Sequence, residues 1–340
     1  MAYSLSLHPY TLLFKKPAGT SRGVYHTRKV WYLHLSSSDY PARVGIGECA
    51  PLPNLSDEFS PTFEQEIYAL ARSLEGTEVI DWSSLRSYPS FLFALETALL
   101  HLETGGFDFW DTPFARSEKG ITINALVWMG DYDDMLRQIE QKLSLGVQCI
   151  KLKIGAIDFN EELALLRHVR RHFSAQELSL RVDANGAFAP KVVEERLNRL
   201  SEYEIHSIEQ PISTRKYALM RCLSDSSPIP IALDEELIGL HTFSQKIELL
   251  EEVCPQFIVL KPSLHGGLRG CSEWIQEAEK RNIGWWITSA LESNIGLNAI
   301  AQWCATLSTT LPQGLGTGQL FINNIALPLR IEGDKLWYNR

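Results

Sequence analysis

Five charged residues close successive apolar runs: Lys153, Asp183, Glu209, Asp234 and Lys261. They are spaced 30, 26, 25 and 27 residues apart, and about 30 residues is one strand plus the crossover helix that returns to a parallel neighbour. One charge at the same point of each unit makes a ring at one end of a parallel barrel, the end where enzymes of that fold keep their chemistry. Three carboxylates between two lysines read as a divalent-metal site flanked by two proton carriers. Every prospective ligand is a hard oxygen, with no His or Cys beside it. That favours Mg²⁺, with Mn²⁺ as a substitute and with waters and substrate oxygens completing an octahedron.

Strand alternation sharpens the pattern. In CIKLKIG, Ile150, Leu152 and Ile154 face one way while Lys151 and Lys153 face the other. The outer face of a barrel packs on helices, so both lysines point inward, where a purely structural barrel carries branched apolar side chains. The same alternation turns Arg181, Asp183, Glu209 and Asp234 inward. One such carboxylate could simply cap a strand or pair with a lysine. Three that converge repel unless a cation or protons neutralise them. Glu235 faces away from Asp234 unless the strand has already ended, in which case it supports a lysine from behind the ligands. Positive charge lowers the pKa of a neighbouring lysine, so Lys153 or Lys261, beside a metal ion and a second lysine, can be a neutral base near pH 7. His265, in the loop after the sixth strand, reads as polar filler.

The elements that position these residues recur from Ile121 onward. Strand candidates are ITINALVWM, CIKLKIG, LSLRVDANG, HSIEQPI, IPIALDEE, FIVLKPS, GWWITSAL and a weak GLGTG from Gly314, with amphipathic segments such as DYDDMLRQIEQKLSLG between them. Eight strands and seven helices predict an α/β fold, a (β/α)7β TIM-type barrel lacking its last helix, over residues 116–318. Residues 1–115 read instead as an α+β capping domain, strand-like segments followed by helical ones. The tail 319–340 has no helical period and is expected to return to that cap. Two loops rich in Gly and Pro, KKPAGTSRG and GIGECAPLPNLS, are candidates to close over the barrel mouth.

Composition bounds the rest. The 340 residues carry 32 Lys and Arg against 41 Asp and Glu, a net charge of −9, and no basic run exceeds a pair. This argues against nucleic-acid or anionic-membrane partners. No apolar stretch approaches the roughly 20 residues that span a bilayer, and the N-terminus lacks the pattern of a signal peptide. The six cysteines lie far apart with no CxxC pair, which predicts reduced thiols and a cytoplasmic protein. The expected partner is a small carboxylate substrate; the sequence leaves oligomerisation open.

KLKIG, VDANG, EQP, LDEE, VLKPS and TSALESNIGL, in this order, together with GIGECAPLP, resemble the enolase superfamily in its muconate-lactonising subgroup. That superfamily uses Lys or His bases with Mg²⁺. The resemblance implies that Lys153 and Lys261 are the acid/base pair and that Asp183, Glu209 and Asp234 bind the metal, with an enediolate intermediate. It implies a substrate site drawn from Lys151, Arg181, Asn185, Thr288, Ser289, Glu292 and Gly314, with Glu235 behind it. Lys151 and Arg181 would supply positive charge for substrate carboxylates. Dipeptide epimerases of the subgroup usually carry Asp-x-Asp at the end of the eighth strand, where this chain has Gly314, Leu315 and Gly316. Acid-sugar dehydratases and mandelate-type racemases usually present a His at the seventh, where Thr288 and Ser289 stand. The resemblance therefore implies a dehydratase of menaquinone synthesis that aromatises a succinyl-bearing cyclohexadiene carboxylate. N-succinylamino acid racemisation and dipeptide epimerisation are the alternatives, and a non-catalytic binding barrel is the remote one, which would be expected to have lost at least one of the five charges.

Overall fold

In the computed structural model, which describes residues 2–20 and 23–339, the chain opens on a three-stranded antiparallel sheet. Its strands are β1 (Tyr3–Thr20), β2 (Gly23–Ser37) and β3 (Gly45–Cys49), in that order. Helices α1 (Phe63–Leu74) and α2 (Pro89–Thr104) follow. The period of two in β2 divides its side chains between two cores. Trp31, Leu33 and Leu35 pack with Phe63, Ile67, Phe91 and Leu95 of the helices. Val30 and Tyr32, on the opposite face, join Leu264, Ala290, Leu291 and Ile295 from beyond the cap. The cap sheet therefore lies between its own helices and the mouth of the barrel. Gly45 and Gly47 let α2 lie against β3, because a Cβ at either would fall within 2 Å of the carbonyl oxygen of Ala98 or Ala94.

The barrel alternates strand and helix: β4 (Ile121–Thr122), β5 (Ala125–Val127), α3 (Tyr132–Ser144), β6 (Cys149–Lys153), α4 (Phe159–His172), β7 (Ser179–Asp183), α5 (Val193–Ser201), β8 (Ser207–Glu209) and α6 (Tyr217–Ser226). It continues with β9 (Ile231–Leu233), α7 (Phe243–Val253), β10 (Phe257–Leu260), α8 (Gly267–Lys280), β11 (Gly284–Ile287) and α9 (Asn294–Cys304). Strands β5 to β11 pair in parallel in chain order. Gln313 and Gly314 close the ring through parallel bridges to Ile123 and Thr288. The eighth strand, weak in the sequence, is only this pair of bridged residues. The chain thus has the (β/α)7β architecture with an α+β cap.

Three local expectations change. The run from Ile121 is not one strand: Ile121 and Thr122 pair away from the barrel, and only Ala125–Val127 joins the ring. The tail does not return wholly to the cap. Phe321 bridges Phe14 of β1, but β12 (Leu329–Glu332) and β13 (Lys335–Tyr338) form a hairpin whose second strand pairs with β4. The segment KKPAGTSRG is largely strand rather than loop. Residues through Thr20 extend β1, because Ala18 and Gly19 pair with Tyr25 and Val24 across an irregularity after Leu13; Ser21 and Arg22 lie outside the described residues. No helix among the described residues is long and apolar enough to cross a membrane, and all six cysteines are free thiols.

Glu58 shows how burial shapes the cap. Its Oε1 accepts from the backbone N–H of Ser90 in the first turn of α2 (2.9 Å), while Oε2 has no partner. Burial pushes this carboxyl up from 4.5 to about 8, against the Ser90 bond. An acid whose pKa rises on folding holds its proton more tightly in the folded state. Its stabilisation is complete below about pH 4.5 and is lost as pH rises through about 8. The Tm of the unaltered chain should accordingly fall more between about pH 5 and about pH 8.5 than that of Glu58→Gln. Parallel Tm curves for the two proteins would contradict this.

Candidate active site

Barrel register brings the charged residues into line. Across β6, β7 and β8, Lys153 stands beside Asp183 and Asp183 beside Glu209. Asp234 follows the last residue of β9 and Lys261 the last of β10. One oxygen each from Asp183, Glu209 and Asp234 lies within 4.8 Å of the others, and all three residues are fully buried. Lys151 Nζ lies 2.8 Å from Asp183 Oδ2 and donates to Glu209 Oε2. Lys153 Nζ donates to the same Asp183 oxygen (2.6 Å) and to Asn185 Oδ1 (2.7 Å). Lys261 Nζ reaches both oxygens of Asp234 at 2.6 Å. Lys153 thus approaches from the Asp183 side and Lys261 from the Asp234 side.

These contacts set the charge states. Burial alone would raise the Asp183 carboxyl, but Lys151 and Lys153 hold it well below the usual carboxylate range. Glu209 is pushed up to about 7, by burial first and by Asp183 and Asp234 besides, with Lys151 opposing. Burial would lower both Lys151 and Lys261, yet the carboxylates raise both above an ordinary lysine. The lowered lysine expected from the sequence therefore requires the positive charge of an ion; the protein's own charges act the other way. Glu209 Oε1 is buried without a hydrogen-bond partner. An unpartnered, fully buried carboxylate oxygen at the centre of an all-oxygen triad fits a hard divalent cation.

A cavity of about 460 Å³ opens over the triad, within the range of small-molecule sites. Lys151, Lys153, Asn185, Glu235, Lys261, Thr288, Ser289 and Gly314 all line it. Glu235 faces in because β9 has ended at Leu233 and a tight helical turn begins at Glu235. Its Oε1 accepts from Asn185 Nδ2 (2.8 Å), so Asn185 bridges Lys153 and Glu235. Thr288 Oγ1 donates to the Gly314 carbonyl (2.9 Å). A Cβ at Gly314 would stand 2.2 Å from that hydroxyl oxygen, so glycine at 314 is a packing requirement of the last strand pair. At Gly316 a Cβ would meet only ordinary contacts, at 3.6 Å or more.

Two expected substrate residues lie elsewhere. Arg181 points inward as alternation requires, but two residues below Asp183. There it sits 4.0 Å over the Trp286 ring and donates to the Pro312 carbonyl (2.8 Å), in the barrel floor rather than the cavity wall. Glu292 is fully buried behind the wall, accepting from Ser263 Oγ and from the Ala290 N–H (2.7 Å). His265 is more than filler: its Nδ1 accepts from the backbone N–H of Lys261 (3.0 Å). Burial, followed by Lys261 and Lys246, pushes its pKa well below that of a free imidazole, so it stays a neutral acceptor. The apolar wall came from residues with no chemical pattern to mark them: Tyr25, Leu52 and Leu55 of the cap, with Trp128, Leu291 and Leu320. Asn124, whose Oδ1 is buried without a partner, was missed too, although alternation from inward Leu126 would have placed it.

A model of the family described as enolase C-terminal domain-like matches residues 134–328. An o-succinylbenzoate synthase of Desulfotalea psychrophila is 46% identical, over 98% of each chain. The crystal structure of MenC from that organism superposes with a TM-score of 0.86 at 40% identity, covering 99% of this chain and all of the other. The chain belongs to the o-succinylbenzoate synthase family of the enolase superfamily. An L-Ala-D/L-Glu epimerase of Bacillus subtilis is 24% identical, over 77% of this chain and 74% of the epimerase. The muconate lactonizing enzyme of Pseudomonas fluorescens shares the superfamily fold, with a TM-score of 0.82 at 22% identity over 100% and 94% of the two chains. Members of the synthase family act on small molecules, and the cavity over the triad is of that scale.

A ligand that binds only the folded state raises its stability. Saturating Mg²⁺ or Mn²⁺ should raise the Tm of the metal-free chain, and the rise should vanish in Glu209→Ala. An equal rise in that variant would place the ion elsewhere.

Proposed function

We propose that the chain is a Mg²⁺-dependent hydro-lyase that converts 2-succinyl-6-hydroxy-2,4-cyclohexadiene-1-carboxylate to 2-succinylbenzoate, a step of menaquinone synthesis. Family membership at 46% identity along almost the whole chain carries this reading. The free thiols fit a cytoplasmic setting. In it, residues 1–115 serve as a lid and residues 116–318 as the catalytic barrel.

Asp183, Glu209 and Asp234 would hold the Mg²⁺ ion, which supplies positive charge for the substrate carboxylate and for the negative charge that builds up when the neighbouring proton leaves. The reaction breaks the C–H bond at C1 and the C–O bond at C6. The ring gains a double bond between those carbons, and the proton and hydroxyl depart as water. Lys153 Nζ is the base in this reading and then returns the proton to the departing hydroxyl, so both groups leave from one face. Asn185 steers its ammonium, linking it to Glu235. Lys261, held on Asp234, keeps a fixed positive charge on the other side. Leu52, Leu55, Trp128 and Leu291 exclude water and pack against the apolar ring. With glycine at 314 and 316, that part of the wall has no carboxylate to pair with a substrate ammonium, and a cation without a partner is costly to bury. An anionic substrate without a free amino group fits better than a dipeptide.

Turnover can be followed by the rise in aromatic absorbance when the cyclohexadiene is added with Mg²⁺; EDTA should abolish it. A general base contributes about 10²–10⁴-fold, and Lys153 serves as both base and acid. Lys153→Ala should therefore lower kcat by at least about 10³-fold, while Lys261→Ala retains exchange of the α-proton of a product analogue with solvent. Exchange that survives Lys153→Ala and disappears in Lys261→Ala would reverse the two roles.

A further inference from the structure

Two buried charged residues of the cap do no chemistry in this reaction yet reach the back of the cavity wall. Arg28, on β2 and 3% exposed, donates one guanidinium nitrogen to the Ala290 carbonyl and another to that of Ala50. Glu48, on β3 and fully buried, accepts from Ser293 N–H at 2.8 Å, Ser293 Oγ at 2.6 Å and Gly296 N–H at 2.8 Å. These donors belong to the N-cap and first turn of α9, where a carboxylate also faces the positive end of the helix dipole. Gly296 permits the approach: a Cβ there would lie 3.0 Å from Glu48 Oε2 and 2.7 Å from Glu292 Cβ.

The segment held this way is the wall itself. Ser289, Ala290 and Leu291 line the cavity opposite the lysines, between Thr288 at the end of β11 and Ser293 at the start of α9. From inside, the same segment is tied by Glu292, which accepts from Ala290 N–H and from Ser263, two residues after Lys261. We infer that Arg28 and Glu48 are positioning residues: the cap uses them to fix the backbone of Ser289–Leu291, and so sets where the substrate ring rests relative to Lys153 and Lys261. The cap then contributes to the site in two ways, by side chains that touch substrate and by a clamp that shapes a barrel loop from behind.

A matching contact elsewhere separates this role from general attachment of the cap. Glu96, on α2, accepts from Leu268 N–H (2.6 Å) and Arg269 N–H (3.1 Å) in the first turn of α8. It joins cap to barrel by the same chemistry but does not line the cavity. If cap attachment alone mattered, the two glutamates would be equivalent.

The inference rests on the dehydratase reading, so turnover of the cyclohexadiene by the unaltered chain is measured first. Its absence would overturn that reading and the clamp with it. Given turnover, Glu48→Gln should raise KM at least tenfold with kcat within threefold, and weaken 2-succinylbenzoate binding by a similar factor. Glu96→Gln should leave both parameters within twofold, and neither variant should change Mg²⁺ affinity. Ser293→Ala, which deletes only one of the three bonds to Glu48, should shift KM in the same direction by a smaller factor in a fully folded protein. Equal losses in the Glu48 and Glu96 variants, a loss in kcat alone, or unchanged kinetics in both Glu48→Gln and Ser293→Ala would overturn the assignment.

Discussion

Three carboxylates, one oxygen of each within 4.8 Å of the others and none exposed, cannot all stay ionised in a protein interior without compensation. Much of the molecule answers that constraint. Lys151 spans Asp183 and Glu209, Lys153 shares the Asp183 oxygen, and Lys261 holds Asp234. These ammonium groups balance the triad by themselves, and Glu209 still keeps one oxygen without a partner. A divalent ion at that oxygen would take over part of the work of Lys151 and leave Lys153 and Lys261 for the substrate. A site that balances its charges both ways can fold first and bind its ion afterwards.

Parallel barrel geometry is what lets five residues from five βα units meet. Lys153, Asp183 and Glu209 lie in one row of the sheet register, and Asp234 and Lys261 extend the row just past their strand ends. This is why the triad and its lysines were legible in the sequence: strand period, inward alternation and unit length are all local properties. The fold class was legible for the same reason. Arg181 shows where alternation stops being informative. It gives the face of the sheet but not the depth, and two residues, roughly 6.6 Å along a strand, separate the chemical layer from the floor.

What the sequence hid depends on contacts distant along the chain. Glu292 looked like a substrate residue, but its partners are Ser263 and its own backbone turn at Ala290. Glu48 and Arg28 meet partners near residue 290, about 250 positions away, and no local period marks them. The tail divides between cap and barrel because Phe321 finds Phe14 while β13 finds the short strand β4; both are edge pairings available to any extended segment. Gly314 carries two meanings at once, since the close crossing of Thr288 demands glycine whatever the substrate.

The central claim is that the triad is a metal site whose charge the lysines carry until an ion arrives. Anomalous scattering from a crystal soaked in Mn²⁺ tests it most directly. The account predicts one strong peak at roughly 2.0–2.3 Å from a carboxylate oxygen of each of Asp183, Glu209 and Asp234, with Lys151 Nζ drawn back from Glu209. A peak elsewhere, or none at the triad with Lys151 still bridging Asp183 and Glu209, would contradict it.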